Sequence, residues 1–515
     1  NAFKLYGLPT PIQGKIVGVI GKNGSGKTTA MRILAGELLP NLGHYDKKPS
    51  PDEIIERFRG TQLQLYLSKL YNKELRVVHK IQQVDIIPKF VKGDVSTIIR
   101  RVDERGLVKD VVDMLSMRDI LGKNIRELSG GELQKLAVAA AILRDSNVYI
   151  FDEPGTYLDI RERLKLAQAL RTLLPRNAYV LVVEHDLVLL DYVSDYVTIV
   201  YGEPGVYGIV SKPYGVRSGI NNYLEGYLPA ENMRIRKEPI VFRIQVEDRE
   251  LLKKEYPILK WSKLIKTYRT SGFKLVVNEG EAYPGEVLGI IGPNGIGKTT
   301  FIKILAGVLK PDEGEVLVGV EKISVKPQEL SPKIFPEETV ASNLRRASPD
   351  TLNPTTWIYN ELVRKLGLNK MFDRYVGDLS GGELQKLAVA VSLAKTADLY
   401  LLDEPSAYLD VEERLSVAKV IRRIIEEKKK TALVVEHDLM LQNYISSSVI
   451  VFTGTPGIHG HASKPMSNKE GFNVLLKELG ITVRKDPQTG RPRVNKPGSY
   501  LDRRQKAMGQ YYIQD

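Results

Sequence analysis

The amino-acid sequence predicts an α/β protein built from two tandem domains, each a mostly parallel sheet flanked by helices. Three observations predict it. The string LSGGELQKLAVA stands at residues 128–139 and again, unchanged, at residues 379–390, which is 251 positions later (379 − 128). Other strings recur around it in the same order: GKNGSGKTT from Gly21 returns as GPNGIGKTT from Gly292, NVYIFDEP returns as DLYLLDEP, and VLVVEHDL returns as ALVVEHDL. The recurring apolar runs, residues 15–20 and 286–291, YIF before Asp152, YLL before Asp403, VLVV and ALVV, are short and β-branched, and a turn and a helical pattern follow each. Such alternation places ligands at the carboxyl ends of parallel strands.

The first recurring strand runs into Gly21, four residues, then Gly26, Lys27 and Thr28, a phosphate-binding Walker A loop opening a helix. Glycines let the backbone N–H groups wrap phosphates at the positive end of a helix. Asn23, Gly24, Gly26, Lys27, Thr28 and Thr29 are the expected phosphate contacts, and Asn294, Gly295, Gly297, Lys298, Thr299 and Thr300 repeat them. In such a loop the lysine reaches the β- and γ-phosphates and the first threonine ligates Mg²⁺, so ATP and Mg²⁺ are the expected ligands.

Between this loop and the next matched feature the two copies differ. From Lys27 to Gln82 is 55 residues (82 − 27), but from Lys298 to Gln328 only 30 (328 − 298), an insertion of 25 in the first copy. Within it Ser50, Pro51 and Glu53 form a helix start with a cap, a proline in the first turn and a capping-box glutamate. Gly60 ends that helix, and Thr61 caps a second that carries Leu63, Leu67, Leu70 and Tyr71. The expectation is a helix-loop-helix over about residues 50–72 that protrudes to meet a partner; packing on its own domain is the alternative.

Gln82 and Gln328 follow strand-like runs and are placed to join Mg²⁺ to an attacking water. Asp152 and Asp403 end apolar strands and are the expected metal carboxylates, completing metal sites of Thr28, Gln82 and Asp152 and of Thr299, Gln328 and Asp403. The adjacent Glu153 and Glu404 orient or deprotonate the water. His185 and His437 follow the next strand at matching offsets and are expected at the γ-phosphate. A ring to stack adenine is expected before each loop: Tyr268 in the second copy, with core packing as its alternative, and Phe3 or Tyr6 in the first.

The repeated LSGGELQ is the signature string of ATP-binding-cassette (ABC) ATPases, which the chain resembles. The resemblance implies two P-loop NTPase cassettes head to tail, with each signature completing the opposite site. Ser380, Gly381 and Gly382 would close on ATP held by Lys27, and Ser129, Gly130 and Gly131 on ATP held by Lys298. The turns at Tyr157-Leu158-Asp159 and Tyr408-Leu409-Asp410 would link the two sites.

Composition narrows the class. No stretch of about 18 apolar residues is present to span a membrane, and the opening NAFKLYGLPT carries no signal-peptide pattern. With no cysteine and six scattered histidines there is neither a disulfide nor a zinc pattern, so a cytoplasmic location is expected. The net charge of +13 is uneven: residues 211–243 hold six Lys/Arg against three Asp/Glu, and residues 484–515 hold eight against three. Paired basic segments point to a polyanionic partner. A tandem cassette without membrane spans fits an importer's ATPase subunit, an RNA-binding or translation ATPase, or a DNA-repair ATPase. The repair type needs zinc cysteines, and the importer type leaves the basic segments unexplained.

FRGTQLQLY, KIQQVDIIPK, SKPYGVRSGINNYLEGYL and TGRPRVNKPGSYLDRRQK resemble the E subfamily of these ATPases, the ribosome-recycling or ribonuclease L inhibitor family, over essentially the whole chain. Ile81-Gln82-Gln83 stands where that family reads Pro-Gln-Tyr, which leaves the glutamine role open between Gln82 and Gln83. The resemblance implies a first cassette at residues 1–208, a hinge at 209–240, a second cassette at 241–463 and a second hinge at 464–515. It implies a monomer whose cassettes pair within one chain and split ribosomes on ATP binding. The implied partners are the small ribosomal subunit, its rRNA and release-factor-like proteins, with no membrane partner. Family members carry two [4Fe–4S] clusters on an N-terminal domain; FKL at Phe3 matches FKL at Phe273, which about 30 further residues precede, so this chain is expected to be a truncation beginning inside its first cassette.

Overall fold

A computed structural model describes residues 3–44, 46, 48–241, 256–269, 272–318 and 320–513. The chain forms two compact units, Asn1–Val241 and Phe242–Asp515. Residues 242–255, within the expected second cassette, lie outside the described residues.

In the first unit five parallel strands run across the sheet in the order Tyr196–Glu203, Ile16–Gly21, Tyr179–Val183, Val148–Asp152 and Val77–Lys80. Tyr207–Val210 adds antiparallel to the first of these and then pairs in parallel with Lys4–Tyr6. The central strands are buried along their whole length, Ile16–Gly21 and Val148–Asp152 without an exposed residue. That is why they read as continuous apolar runs. Helices fill both faces. One face packs Ile99, Leu136, Ile142 and Leu166 against Tyr149 and Phe151; the other packs Met31 and Leu34 against Val19, Ile150 and Leu181.

The second unit repeats the plan: Ser448–Thr455, Val287–Ile291, Thr431–Val435, Leu399–Asp403 and Ile323–Lys326 are parallel neighbours in that order. A further antiparallel sheet of Gly280–Ala282, Leu259–Trp261 and Val316–Val318 belongs to this unit. Its Trp261 is buried edge-on against Phe301, with ring centroids 5.5 Å apart, and donates Nε1–H to the Asn278 carbonyl at 2.8 Å. Phe301 lies on Lys298–Leu305, the helix that opens at the phosphate loop.

The insertion forms Pro51–Arg57 and Gln62–Tyr71, with the Ser50 capping box and the Thr61 cap in place. It does not stand away from the domain. Ile54, Leu63, Tyr66, Leu67 and Leu70 are buried in one cluster with Ala30, Met31, Ile33 and Leu34 of the helix after the phosphate loop. The Tyr66 hydroxyl donates to the Leu34 carbonyl at 2.6 Å. The apolar positions that marked the second helix are the ones spent on this packing, which leaves Leu65 and the polar face outward.

The two basic segments are each built onto the cassette that precedes them. Tyr214–Gly215 pairs with Tyr196–Glu203, and Val216–Glu225 buries Ile220, Tyr223 and Leu224. Met466–Ser467 likewise pairs with Ser448–Thr455, and Asn468–Leu479 buries Phe472, Leu475 and Leu476. Beyond it the hairpin Val483–Lys485 with Pro492–Val494 precedes the helix Tyr500–Ala507. No helix among the described residues is long and apolar enough to cross a membrane.

Candidate nucleotide sites

Each site begins where the first recurring strand turns into its helix. Gly24 and Gly26 have φ of 73° and 95°, and Gly295 and Gly297 have 71° and 96°, conformations that favour glycine and turn the loop into the N-terminus of its helix. Lys27 Nζ lies back across this loop, donating to the Gly21 and Lys22 carbonyls at 2.9 and 2.8 Å; Lys298 Nζ donates to the Gly292 carbonyl at 2.9 Å. Asn23 and Asn294 sit at the same turn, and Thr29 and Thr300 follow in the first helical turn. Phe3 packs its ring against Gly26 as Phe273 does against Gly297. The Tyr268 hydroxyl lies 3.3 Å from Thr300 Oγ1 with its ring half-buried, whereas Tyr6 is mostly exposed on an edge strand.

A threonine and an aspartate of each expected metal set converge as a pair. Thr28 Oγ1 donates to Asp152 Oδ2 at 2.9 Å and Thr299 Oγ1 to Asp403 Oδ2 at 3.3 Å. Both Asp Oδ1 atoms are buried without a hydrogen-bond partner. Burial and the adjacent Glu153 push Asp152 up, and burial and Glu404 push Asp403 up to about 6. A buried acid with an unused oxygen beside a threonine hydroxyl is an oxygen-donor set that fits Mg²⁺, whose remaining positions go to phosphate and water.

The glutamates next to them have the opposite electrostatics. Gln82 Nε2 donates to Glu153 Oε1 at 2.8 Å, and Gln328 Nε2 to Glu404 Oε1 at 2.8 Å. Gln82, rather than Gln83, makes this contact. His185 Nε2 stands 3.3 Å from Glu153 Oε1 and His437 Nε2 3.0 Å from Glu404 Oε1. Burial pushes Glu153 up, but the contact and charge of His185 and the charge of Lys27 outweigh it and hold it at about 2. Against the same burial His437, Lys298 and Lys326 hold Glu404 at about 2. Each site therefore sets an ionised glutamate beside an acid that burial and the neighbouring glutamate raise.

Ser129 and Ser380 cap the helices Gly130–Leu143 and Gly381–Ala394, each through a capping box with the following glutamate. Both serines are exposed, and the first N–H groups of an α-helix have no intrahelical partner, so each signature offers an open anion-binding helix end. A side chain at Gly130 would stand 3.2 Å from the Tyr157 ring, and one at Gly131 would stand 3.1 Å from the Tyr157 carbonyl. In the second unit a side chain at Gly382 would stand 3.1 Å from the Tyr408 carbonyl, as at Gly131, whereas one at Gly381 would stand 3.5 Å from the Tyr408 ring, an ordinary contact.

Residues that sequence reasoning passed over complete the sites. Lys80 and Lys326 are buried behind the glutamates, as are Gln134 and Gln385. Glu184 Oε2 accepts from Gly155 N at 3.0 Å, and Glu436 Oε2 accepts from Ser406 Oγ at 2.5 Å. The signal was available: Lys80 and Lys326 recur at the offset of Gln82 and Gln328 (326 − 80 = 246 and 328 − 82 = 246).

Duplicated phosphate loops, metal pairs, ionised glutamates and signature caps on a parallel sheet define an ABC-type ATPase with two cassettes. The ABC transporter family model matches residues 11–156 and 278–407. An uncharacterised ABC transporter ATP-binding protein of Methanocaldococcus jannaschii is 53% identical over 518 residues, covering 100% of this chain and 84% of that one. Translation initiation factor RLI1 of Saccharomyces cerevisiae is 44% identical over 527 residues, covering 100% and 85%. Among solved structures, archaeal ribosome recycling factor aABCE1, in complex with the archaeal ribosomal stalk protein aP1, shares 50% identity at a TM-score of 0.92, covering 100% of this chain and 97% of that one. The ABCE1 of a model of ribosome-bound archaeal Pelota and ABCE1 shares 50% identity at 0.91, covering 100% and 85%. The chain belongs to the E family of ABC proteins, to which the RLI1 factors also belong, and it is an ATP-hydrolysing enzyme.

Proposed function

We propose that the chain is an ATP-driven clamp that splits ribosomes into subunits in the cytoplasm, with both cassettes of one monomer closing head to tail on two ATP molecules. The observation that carries this reading is the duplication of the whole site, with a signature helix end that stays open in each unit. In the closed form Ser380, Gly381 and Gly382 would receive the γ-phosphate held by Lys27, and Ser129, Gly130 and Gly131 the one held by Lys298. Thr28, Gln82 and Asp152, and Thr299, Gln328 and Asp403, would hold Mg²⁺, which supplies charge neutralisation at the β- and γ-oxygens. Glu153 and Glu404 orient or deprotonate the water, His185 and His437 face the γ-phosphate, and Tyr268 stacks on adenine.

The likeness to a ribosome recycling factor and to a ribosome-bound ABCE1 supports the choice of substrate. The basic segments 209–240 and 464–515 act as hinges and meet rRNA of the small subunit, and release-factor-like proteins act beside them. ATP drives closure only by its higher affinity for the closed state.

Ribosome splitting on sucrose gradients, with ATP, tests this. Wild type should yield free subunits, Lys27→Ala with Lys298→Ala should yield none, and Glu153→Gln with Glu404→Gln should remain on the small subunit with ATP bound. Splitting that survives the lysine changes refutes the clamp.

A further inference from the structure

Glu153 and Glu404 have φ of 47° and 48°, a left-handed backbone that a residue with a side chain adopts at a cost of order 1–3 kcal/mol, so the surroundings must enforce it. What enforces it lies on the carbonyl side. Gln134 Nε2 donates to the Glu153 carbonyl at 2.6 Å, and Lys80 Nζ donates to the Asp152 and Glu153 carbonyls at 2.9 and 3.4 Å. In the second unit Gln385 Nε2 donates to the Glu404 carbonyl at 2.6 Å, and Lys326 Nζ to the Asp403 and Glu404 carbonyls at 2.6 and 2.9 Å. All four donors are buried. A buried ammonium is costly, and an apolar residue would serve a strand end at least as well for stability alone. The lysine also recurs although the residues just before it differ, VVH in one strand and ISV in the other.

We propose that Lys80 with Gln134, and Lys326 with Gln385, are positioning residues for the two catalytic carboxylates. Two donors on one carbonyl fix the peptide plane, and the plane fixes the direction in which the glutamate side chain leaves the backbone. The carboxylate is thereby aimed at Gln82 and His185, or at Gln328 and His437. Gln134 and Gln385 close the string LSGGELQ, so the signature helix of each cassette also holds that cassette's own glutamate. The inference rests on Glu153 and Glu404 being the bases.

The chain carrying Lys80→Met with Lys326→Met tests it, since Met keeps the apolar stem and removes the donors. ATP turnover and ATP affinity, the latter by displacement of a fluorescent nucleotide, are measured beside melting temperature. Turnover should fall by on the order of ten- to a hundredfold, as for a misplaced reacting group, while the Kd for ATP stays within about twofold, a loss confined to the transition state. Gln134→Leu with Gln385→Leu should give the same split and carries the test if the lysine pair does not fold. Near-normal turnover in both pairs, where Glu153→Gln with Glu404→Gln abolishes it, overturns the positioning role alone; so does a parallel loss of affinity and turnover. Turnover that survives the glutamate changes overturns the base assignment and the positioning role with it.

Discussion

Gly155 and Ser406 hold the same place two residues after Glu153 and Glu404, and each answers a buried carboxylate in its own way. A Cβ on Gly155 would stand 2.7 Å from both Glu184 Oε2 and Leu189 Cδ2, and the backbone N–H of Gly155 donates to that oxygen at 3.0 Å. In the second unit the Ser406 hydroxyl takes over that task for Glu436. Gly155→Ala should therefore cost about 1–3 kcal/mol by overpacking, and Ser406→Gly about 1.5–3 kcal/mol through the lost hydrogen bond to a charged group. Melting temperatures of the single variants check both. At this scale the sequence was legible wherever a residue type announces its chemistry, as the loop lysines, the Asp-Glu pairs and the histidines do. Lys80 and Gln134 escaped because a lysine in a strand and a glutamine in a helix ordinarily face water. Only their hydrogen bonds to carbonyls distant in sequence give them a task.

The strands Val77–Lys80 and Ile323–Lys326 show how an element's environment reaches its chemistry. Burial pushes Lys80 and Lys326 down to about 8, while the nearby carboxylates, Asp152 and Glu153 or Asp403 and Glu404 foremost, pull the other way. A lysine depressed in the folded state lowers stability at pH values below about 8, and that cost fades as pH rises toward the ordinary lysine value near 10.5. Wild type should thus gain melting temperature relative to Lys80→Met with Lys326→Met between pH 8 and 10; a constant difference would contradict it. The helix pair Pro51–Arg57 and Gln62–Tyr71 teaches a different point about legibility. Its caps are local and could be read to the residue. Its destination could not, because an apolar stripe states that a face is buried and not against what. Here Leu34 and its neighbours supplied the surface.

For the whole molecule the duplication was the most readable feature, since identical strings at a constant offset need no knowledge of packing. Where a cassette ends was harder to read. The basic segments were set apart by charge, yet their helices bury Tyr223, Leu224, Phe472 and Leu475 against the preceding cassette. Charge on an outer face and apolar residues on an inner one coexist in a single short helix. On the proposed function, their outer charge is what RNA meets. Arg503 and Arg504 are exposed on Tyr500–Ala507, and changing both to Gln should weaken small-subunit binding and flatten its dependence on log salt by about one unit for each arginine that meets a phosphate. Binding assays across a salt series measure the slope directly.

The two tryptophans, Trp261 and Trp357, both belong to the second unit. Trp261 lies against Phe301 of the helix that opens at Lys298. Tryptophan emission is thus a label carried by one half of a nearly symmetric enzyme, seated one aromatic ring away from its nucleotide loop. Two sites that share their chemistry can be told apart by light without adding a dye.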